Sequence, residues 1–277
     1  MRDGQPLGAN PGGSAFNSAV SLGRAGAETF FIGETGDDEA GKLVRNFLET
    51  NGVHSQYLME YPGRKTALSL AFLDGNNDAH YSFYRDEPAE HKDFPVPDFG
   101  PGDMVVFGSF FAVAPALRAQ LRDFLLKARG AGAIIYYDIN FRPSHAKDLS
   151  VLRPYINENI ALADIVRASG DDIRTAFGGT EPGCTRFIRT DGPGAILLRD
   201  GELHASYDVP PIETVSTIGA GDSFNAGVAF ALMGLGVERS TLAAGIGRQA
   251  WDKVISTARD FSAACCKSLE NYIPAIS

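Results

Sequence analysis

Cysteine is scarce in this sequence: three in 277 residues, Cys184 and the adjacent pair Cys265 and Cys266. An odd count, with no Cys-x-x-Cys and no Cys/His spacing suited to a metal, excludes a disulfide scaffold and a structural zinc and points to a reducing compartment. Basic residues are outnumbered, 25 Lys and Arg against 34 Asp and Glu, for a net charge of −9. A protein that grips a nucleic-acid backbone shows the opposite balance, so no nucleic-acid partner is expected. Long apolar runs are missing too. The longest, around residues 227–237, is short and interrupted by glycine, so no membrane span or membrane partner is expected. The opening residues MRDGQPLGANPGG are polar and turn-rich, unlike a secretory signal. The five histidines form no ligand-spaced pair. No serine sits in Gly-x-Ser-x-Gly, and neither a Walker A loop nor Gly-x-Gly-x-x-Gly occurs. A soluble, cytoplasmic protein is expected.

What is present is ordinary globular material, 44% hydrophobic and 21% charged. A chain of this length buries about 75% of its unfolded surface and needs no staple. Short apolar runs alternate with helical patterns. Residues 29–33 read as a strand. Residues 38–51 read as a helix capped by Asp37 or Asp38, with Leu43, Phe47 and Leu48 on one face and Gly52 at its end. Residues 66–73 and 79–85 flank Gly75-Asn76-Asn77-Asp78, a hairpin with turn residues where a turn needs them. Strands then follow at 104–107, 133–138, 164–168, 187–190 and 195–199, with helices at 115–129 and 153–163 and a mostly helical tail from Gly221. That rhythm predicts βαβ units: an α/β fold with a mostly parallel central sheet flanked by helices, and ligands at the carboxyl ends of the strands. The early hairpin breaks the rhythm and reads as an edge or lid over about residues 60–90, with 87–101 as its return linker.

Three segments have the makings of a site. In Gly219-Ala220-Gly221-Asp222-Ser223-Phe224, glycines open a helix, so backbone N–H groups and the helix dipole favour an anion there. Asp222 then reads either as a carboxylate that takes a proton from an attacking hydroxyl or as an N-capping residue. Gly12-Gly13-Ser14-Ala15-Phe16-Asn17 opens a helix running to Arg24. Its glycines admit a close ligand and Asn17 offers both a donor and an acceptor, although plain loop-to-helix packing accounts for it equally. In Asp138-Ile139-Asn140-Phe141-Arg142-Pro143, strand alternation sends Asp138, Asn140 and Arg142 to one side, as a ligand cluster or an exposed turn. Ser169-Gly170-Asp171-Asp172 reads as a metal–phosphate contact or a helix cap with acidic first-turn residues. Thr190-Asp191-Gly192-Pro193-Gly194 reads at least as a tight turn.

In this order, GGSAFNSAVSLGRAGA, IGETGDDEAGKLVRNFLETNGV and STIGAGDSFNAG resemble the PfkB (ribokinase-like) family of carbohydrate kinases, from about residue 10 to the end, with a tone most like fructokinases. The resemblance implies a single ribokinase-like domain over residues 1–277 with a small β lid. It also implies transfer of the γ-phosphoryl group of Mg-ATP to a sugar hydroxyl, with fructose or a related ketose as acceptor. Asp222 would be the base, and the backbone of Gly219, Ala220 and Gly221 the anion hole. Arg142 would pair with phosphate. Gly12, Gly13, Asn17 and Asn140 would meet the sugar. Ser169, Thr190, Gly192 and Gly194 would approach the nucleotide, and Asp172 would contact Mg2+ through water. The lid would exclude water, and pairing of lids would make a homodimer.

Members of the family usually begin with a strand carrying Gly-Glu and a later sugar-binding Asp; here that strand is read as missing before residue 1. Ser216 stands where the family has an Asp that helps bind a monovalent cation, so that requirement is not expected to carry over. Ser169 and Asp172 replace the usual Asn and Glu. The alternatives are another acceptor (ribose, a nucleoside, a 2-keto-3-deoxy sugar acid) or a sugar-binding protein impaired in turnover.

Overall fold

The computed structural model describes residues 8–73, 79–86, 91–141 and 148–275. Packing divides the chain into two units. The first comprises Met1–Pro95, Thr214–Ser223 and Ala264–Ser277; the second comprises Val96–Glu213 and Phe224–Ala263.

The second unit is built on a six-stranded sheet. Its strands are β7 (Met104–Gly108), β8 (Ile134–Asp138), β9 (Ile165–Ser169), β10 (Arg186–Thr190), β11 (Ile196–Asp200) and β12 (Leu203–Tyr207), ordered β12-β11-β10-β9-β8-β7. The pairs from β7 to β10 are parallel, while β10–β11 and β11–β12 are antiparallel, so the sheet is mixed. Every residue of β8 (IIYYD) is buried, as a strand covered on both faces requires. Ile134 and Tyr136 pack with Ile165, Ile188 and Leu198 against Phe224, Val228 and Leu232 of one helix and Trp251, Val254 and Ala258 of another. These helices are α6 (Ala220–Gly234) and α8 (Gly247–Cys266). Helices α3 (Arg118–Gly130) and α4 (Leu149–Leu162) also pack on β8. Leu121, Phe124, Leu125 and Ala128 form the buried stripe of α3, at the 3-4-7 spacing of one helix face.

At Gly227 in α6, a Cβ would lie 2.5 Å from the Ala258 Cα, so only glycine lets α6 and α8 approach this closely. The indole of Trp251 donates to Asp200 at 2.9 Å, and Asp200 pairs with Arg186 at 2.8 Å. Helices α5 (Gly170–Phe177) and α7 (Arg239–Ala244) complete the unit.

The elements depart from the sequence reading in three places here. A 3-10 turn at Pro115–Leu117 precedes α3, which therefore starts three residues late. Helix α4 starts at Leu149 and carries Pro154 inside it, a residue that reads as a boundary. Strand β12 adds a sixth strand that the sequence pattern does not signal, because its edge sequence LHASY is weakly apolar.

The first unit holds α1 (Ser14–Arg24), β1 (Thr29–Phe30), β2 (Gly33–Gly36), α2 (Glu39–Thr50), β3 (Val53–His54), β4 (Leu58–Tyr61), β5 (Leu68–Leu73) and β6 (Ala79–Tyr84). Strands β1–β3 and β2–β4 pair in parallel, and β5–β6 form the antiparallel hairpin, whose turn residues lie outside the described ones. The expected strand at 29–33 is thus two short ones, β1 and β2. Phe16, Val20, Leu48, Val53, Leu58 and Tyr272 form the core, with Phe31, Val44 and Phe47 packed on it. Leu43, predicted on the buried face of α2, is 53% exposed, and Val44 takes that place. Asp38 is the N-cap of α2. It accepts from the Gly41 amide at 3.0 Å and also from the Thr66 hydroxyl at 2.6 Å, tying the helix to the chain entering β5.

Candidate active site

The predicted residues that the structure describes fall into two clusters, one in each unit. In the first unit, the turn before α6 brings Gly219 to φ 81°, and a Cβ there would lie 2.0 Å from the Asn271 carbonyl oxygen. Both facts demand glycine. The turn aims Asp222, in the first turn of α6, at α1. One carboxylate oxygen accepts from the Ser14 hydroxyl at 2.7 Å and the other from the Asn17 side-chain amide at 2.8 Å. The Asp222 carbonyl accepts from Ser18 at 2.9 Å, and the Ser21 and Ser223 hydroxyls meet at 3.2 Å. The Asp222 side chain is therefore spent on α1 and does not act as an N-cap.

Asp222 is 7% exposed and Asn17 5%. The Asn17 side-chain oxygen is buried without a hydrogen-bond partner. A Cβ on Gly12 would sit 3.5 Å from it, and Gly13 caps α1 at φ 132°. A buried acceptor left open costs about 1–3 kcal/mol unless something donates to it, and a ligand hydroxyl is such a donor. Of the three amides expected to converge on an anion, that of Ala220 instead closes a turn onto the Thr217 carbonyl at 3.2 Å. The amides of Gly219 and Gly221 are left as the candidate donors. Ser216 accepts from the Ile218 amide at 3.2 Å, a local turn. Cys265 donates to the Ile218 carbonyl beneath this loop. Burial above all, with Cys266 and Asp222 adding to it against a hydrogen bond with Ser223, pushes the thiol up to about 11, so it stays protonated.

In the second unit, the carboxyl ends of β8, β9 and β10 carry a buried polar network. Arg167 pairs with Asp138 at 3.0 Å and donates to the Thr190 hydroxyl at 2.5 Å. The other Asp138 oxygen accepts from Asn225 at 2.8 Å, and Asn225 accepts from the Tyr136 hydroxyl at 2.9 Å. Burial opposes the Arg167 charge, but Asp138 and Asp172 more than offset it and raise its pKa further. The predicted alternation of Asp138, Asn140 and Arg142 ends at Asp138. That side chain is 2% exposed and turned to Arg167 and Asn225, while Asn140 has φ 39°, outside the extended region. Arg142 lies outside the described residues.

Ser169 and Asp172 form a capping box at the start of α5. Asp172 accepts from the Ser169 amide and hydroxyl, both at 2.7 Å, and from the Phe141 amide at 2.6 Å. Burial, then Asp138, raise its pKa. A buried carboxylate holding three protein donors does not fit a metal, so the expected Mg2+ contact of Asp172 is not carried forward. Among the described residues no group of three or more His, Cys, Asp or Glu can hold one. Thr190 ends β10, Gly192 has φ 56°, and the Gly194 amide donates to the Asp191 carbonyl at 2.9 Å, a tight turn between β10 and β11. Sequence reasoning missed Ser14, Ser18, Arg167 and Asn225. The one signal was a charged residue inside the otherwise apolar run IVRAS.

Residues 3–244 match the family described as pfkB family carbohydrate kinase. The chain belongs to that family. It is 28% identical to the aminoimidazole riboside kinase of Salmonella typhimurium over 236 residues, covering 80% of this chain and 73% of that one. It is 27% identical to a fructokinase of Solanum tuberosum over 221 residues, covering 77% and 69%. Among solved structures, fructokinase from Vibrio cholerae O395 in its fructose-, ADP- and calcium-bound form superposes with a TM-score of 0.78 at 19% identity. That match covers 94% of this chain and 86% of that one and shows the fold alone. This PfkB chain therefore has the ribokinase-like fold and is a carbohydrate kinase, a phosphotransferase. Among the described residues no helix is long and apolar enough to cross a membrane.

Proposed function

We propose that this PfkB protein transfers the γ-phosphoryl group of ATP to a hydroxyl of a small sugar, with fructose or a related ketose as the acceptor and Asp222 as general base. The observation that carries the reading is the pairing, in one cluster, of a carboxylate fixed by two donors with a buried open acceptor on Asn17. The acceptor hydroxyl gives its proton to the Asp222 carboxylate, which Ser14 and Asn17 hold in one orientation before the sugar arrives. A second sugar hydroxyl donates to the Asn17 oxygen, beside Gly12 and Gly13. The amides of Gly219 and Gly221, at the positive end of α6, face charge that develops on the transferring group.

Mg-ATP is a substrate in this scheme, and its magnesium neutralises phosphate charge. Bound with the nucleotide, the ion would take waters and phosphate oxygens as its ligands. Thr190, Gly192 and Gly194 lie on the β10–β11 turn, which we assign to the nucleotide, and the Asn140 loop to the sugar. Arg142 keeps its expected role with phosphate. The β5–β6 hairpin is the lid, and its exposed Leu68, Phe72 and Tyr84 form the surface on which two copies pair. Use of ATP supports a cytoplasmic setting for the activity.

A specific observation favours a second acceptor: the relative at 28% identity is named for a riboside. ADP release measured with fructose, ribose, glucose, adenosine, aminoimidazole riboside and 2-keto-3-deoxygluconate separates the two. A kcat/KM for fructose at least tenfold above the others supports the ketose reading, and the same preference for a riboside replaces it.

A further inference from the structure

The amino ends of β9 and β10 lie at the far end of these strands from Ser169 and Thr190, and they border a groove of about 810 Å³. That is within the range of small-molecule sites. Its walls are the last turn of α3, one face of α4, the end of α5, the loop at 180–185 and α7. Four wall residues are arginines (Arg129, Arg153, Arg186 and Arg239) against two carboxylates, Asp164 and Glu181. In a chain of net charge −9 this is a local reversal of sign.

The two carboxylates do not neutralise the groove. Both oxygens of Asp164 lie 2.9 Å from Arg239, and Glu181 lies 3.6 Å from Arg189, outside the groove. Arg186 is paired with Asp200. Arg129 and Arg153 remain. Arg129 donates to the carbonyls of Ala161 and Leu162 at the end of α4, at 3.3 and 3.4 Å. The Arg153 guanidinium lies 5.1 Å from the centre of the Phe177 ring. Neither pairs with a carboxylate among the described residues, and both are half-buried, where solvent screens a charge less than on an open surface.

We propose that this groove binds a phosphorylated small molecule carrying at least two negative charges, held by Arg129 and Arg153. A phosphate group presents oxygens to both planar guanidinium forks at once, whereas a single carboxylate satisfies one and leaves the other unpaired. The Phe177 ring holds the Arg153 fork in place at the wall. The site shares no residue with the two clusters described above and does not depend on the acceptor assigned to them.

Calorimetric titration of the 277-residue chain with inorganic pyrophosphate, at constant ionic strength, tests the assignment. Saturable binding is expected, weakened at least tenfold in Arg129→Ser/Arg153→Ser and clearly reduced in Arg153→Ser alone, with turnover in the absence of pyrophosphate unchanged in both. The single variant removes only a ring contact, so a folding defect in the double variant does not decide the matter. Absence of saturable binding, binding that both variants leave intact, or equally tight binding of citrate overturns the proposal.

Discussion

Asn17 and Asp222 are 205 positions apart in the chain, yet the Asn17 amide donates to the Asp222 carboxylate at 2.8 Å while its own oxygen stays buried without a partner. One side chain thus positions the proposed base and holds out an acceptor. Replacing Asn17 with Ala removes both, and hydrogen bonds to charged groups are worth about 1.5–3 kcal/mol. Steady-state kinetics should show kcat lowered and sugar KM raised, each by about tenfold or more, with KM for ATP unchanged. Ser14→Ala removes only a donor to Asp222, so kcat should fall about tenfold while sugar KM holds. A shift in ATP KM of the same size in either variant would contradict this division of labour.

Arg167 is a structural counter-charge. With Arg167→Met, Asp138 keeps its 2% exposure and loses its ion partner. Breaking a buried pair from one side costs about 3–5 kcal/mol. Urea unfolding followed through Trp251, the sole tryptophan, should show that loss, and Arg167→Met/Asp138→Asn should recover part of it. Equal stability of Arg167→Met and the parent would mean that the pair contributes nothing.

The close approach of α6 and α8 predicts a contrast between two glycines of one helix. At Gly227 an added Cβ meets backbone at 2.5 and 3.0 Å, while at Gly234 nothing lies within 4 Å. Gly227→Val should destabilise by about 1–3 kcal/mol through overpacking, lowering Tm by several degrees. Gly234→Ala should be neutral or slightly stabilising.

Asp38 gives the hairpin base a pH dependence. Its hydrogen bond from the Thr66 hydroxyl, and then that from the Gly41 amide, hold its carboxyl below the usual value. A depressed folded-state pKa gives stability that is complete above the unfolded value of about 3.9 and is lost as pH falls through it toward the folded one. Hydrogen-exchange protection of the Gly41 and Thr66 amides should therefore drop between pH 5 and roughly pH 3. In Asp38→Asn it should be low at both and change little.

The first parallel strands were legible because β7 and β8 are short apolar runs and β9 is one interrupted by Arg167, the signature of strands covered on both faces, and β8 carries it most fully. The hairpin was legible from the turn residues between its two runs. What escaped the sequence depends on tertiary partners. Spacing leaves Asp222 readable as cap or base, and only α1 arriving with Ser14 and Asn17 takes its side chain away from the cap. Asp172 was readable both as a cap and as a metal contact, and the capping box took it. Asn140 breaks strand alternation through a positive φ that no local pattern announces.

The most direct test of the account is Asp222→Asn, assayed for ADP release on the best acceptor, with sugar affinity measured separately by calorimetry. Loss of the proton acceptor predicts kcat down by about 10²–10⁴-fold, with sugar binding within a few-fold of the parent and an unchanged Tm. Turnover within tenfold of the parent, in a folded Asp222→Asn protein that still binds sugar, would contradict the assignment of Asp222 as the base.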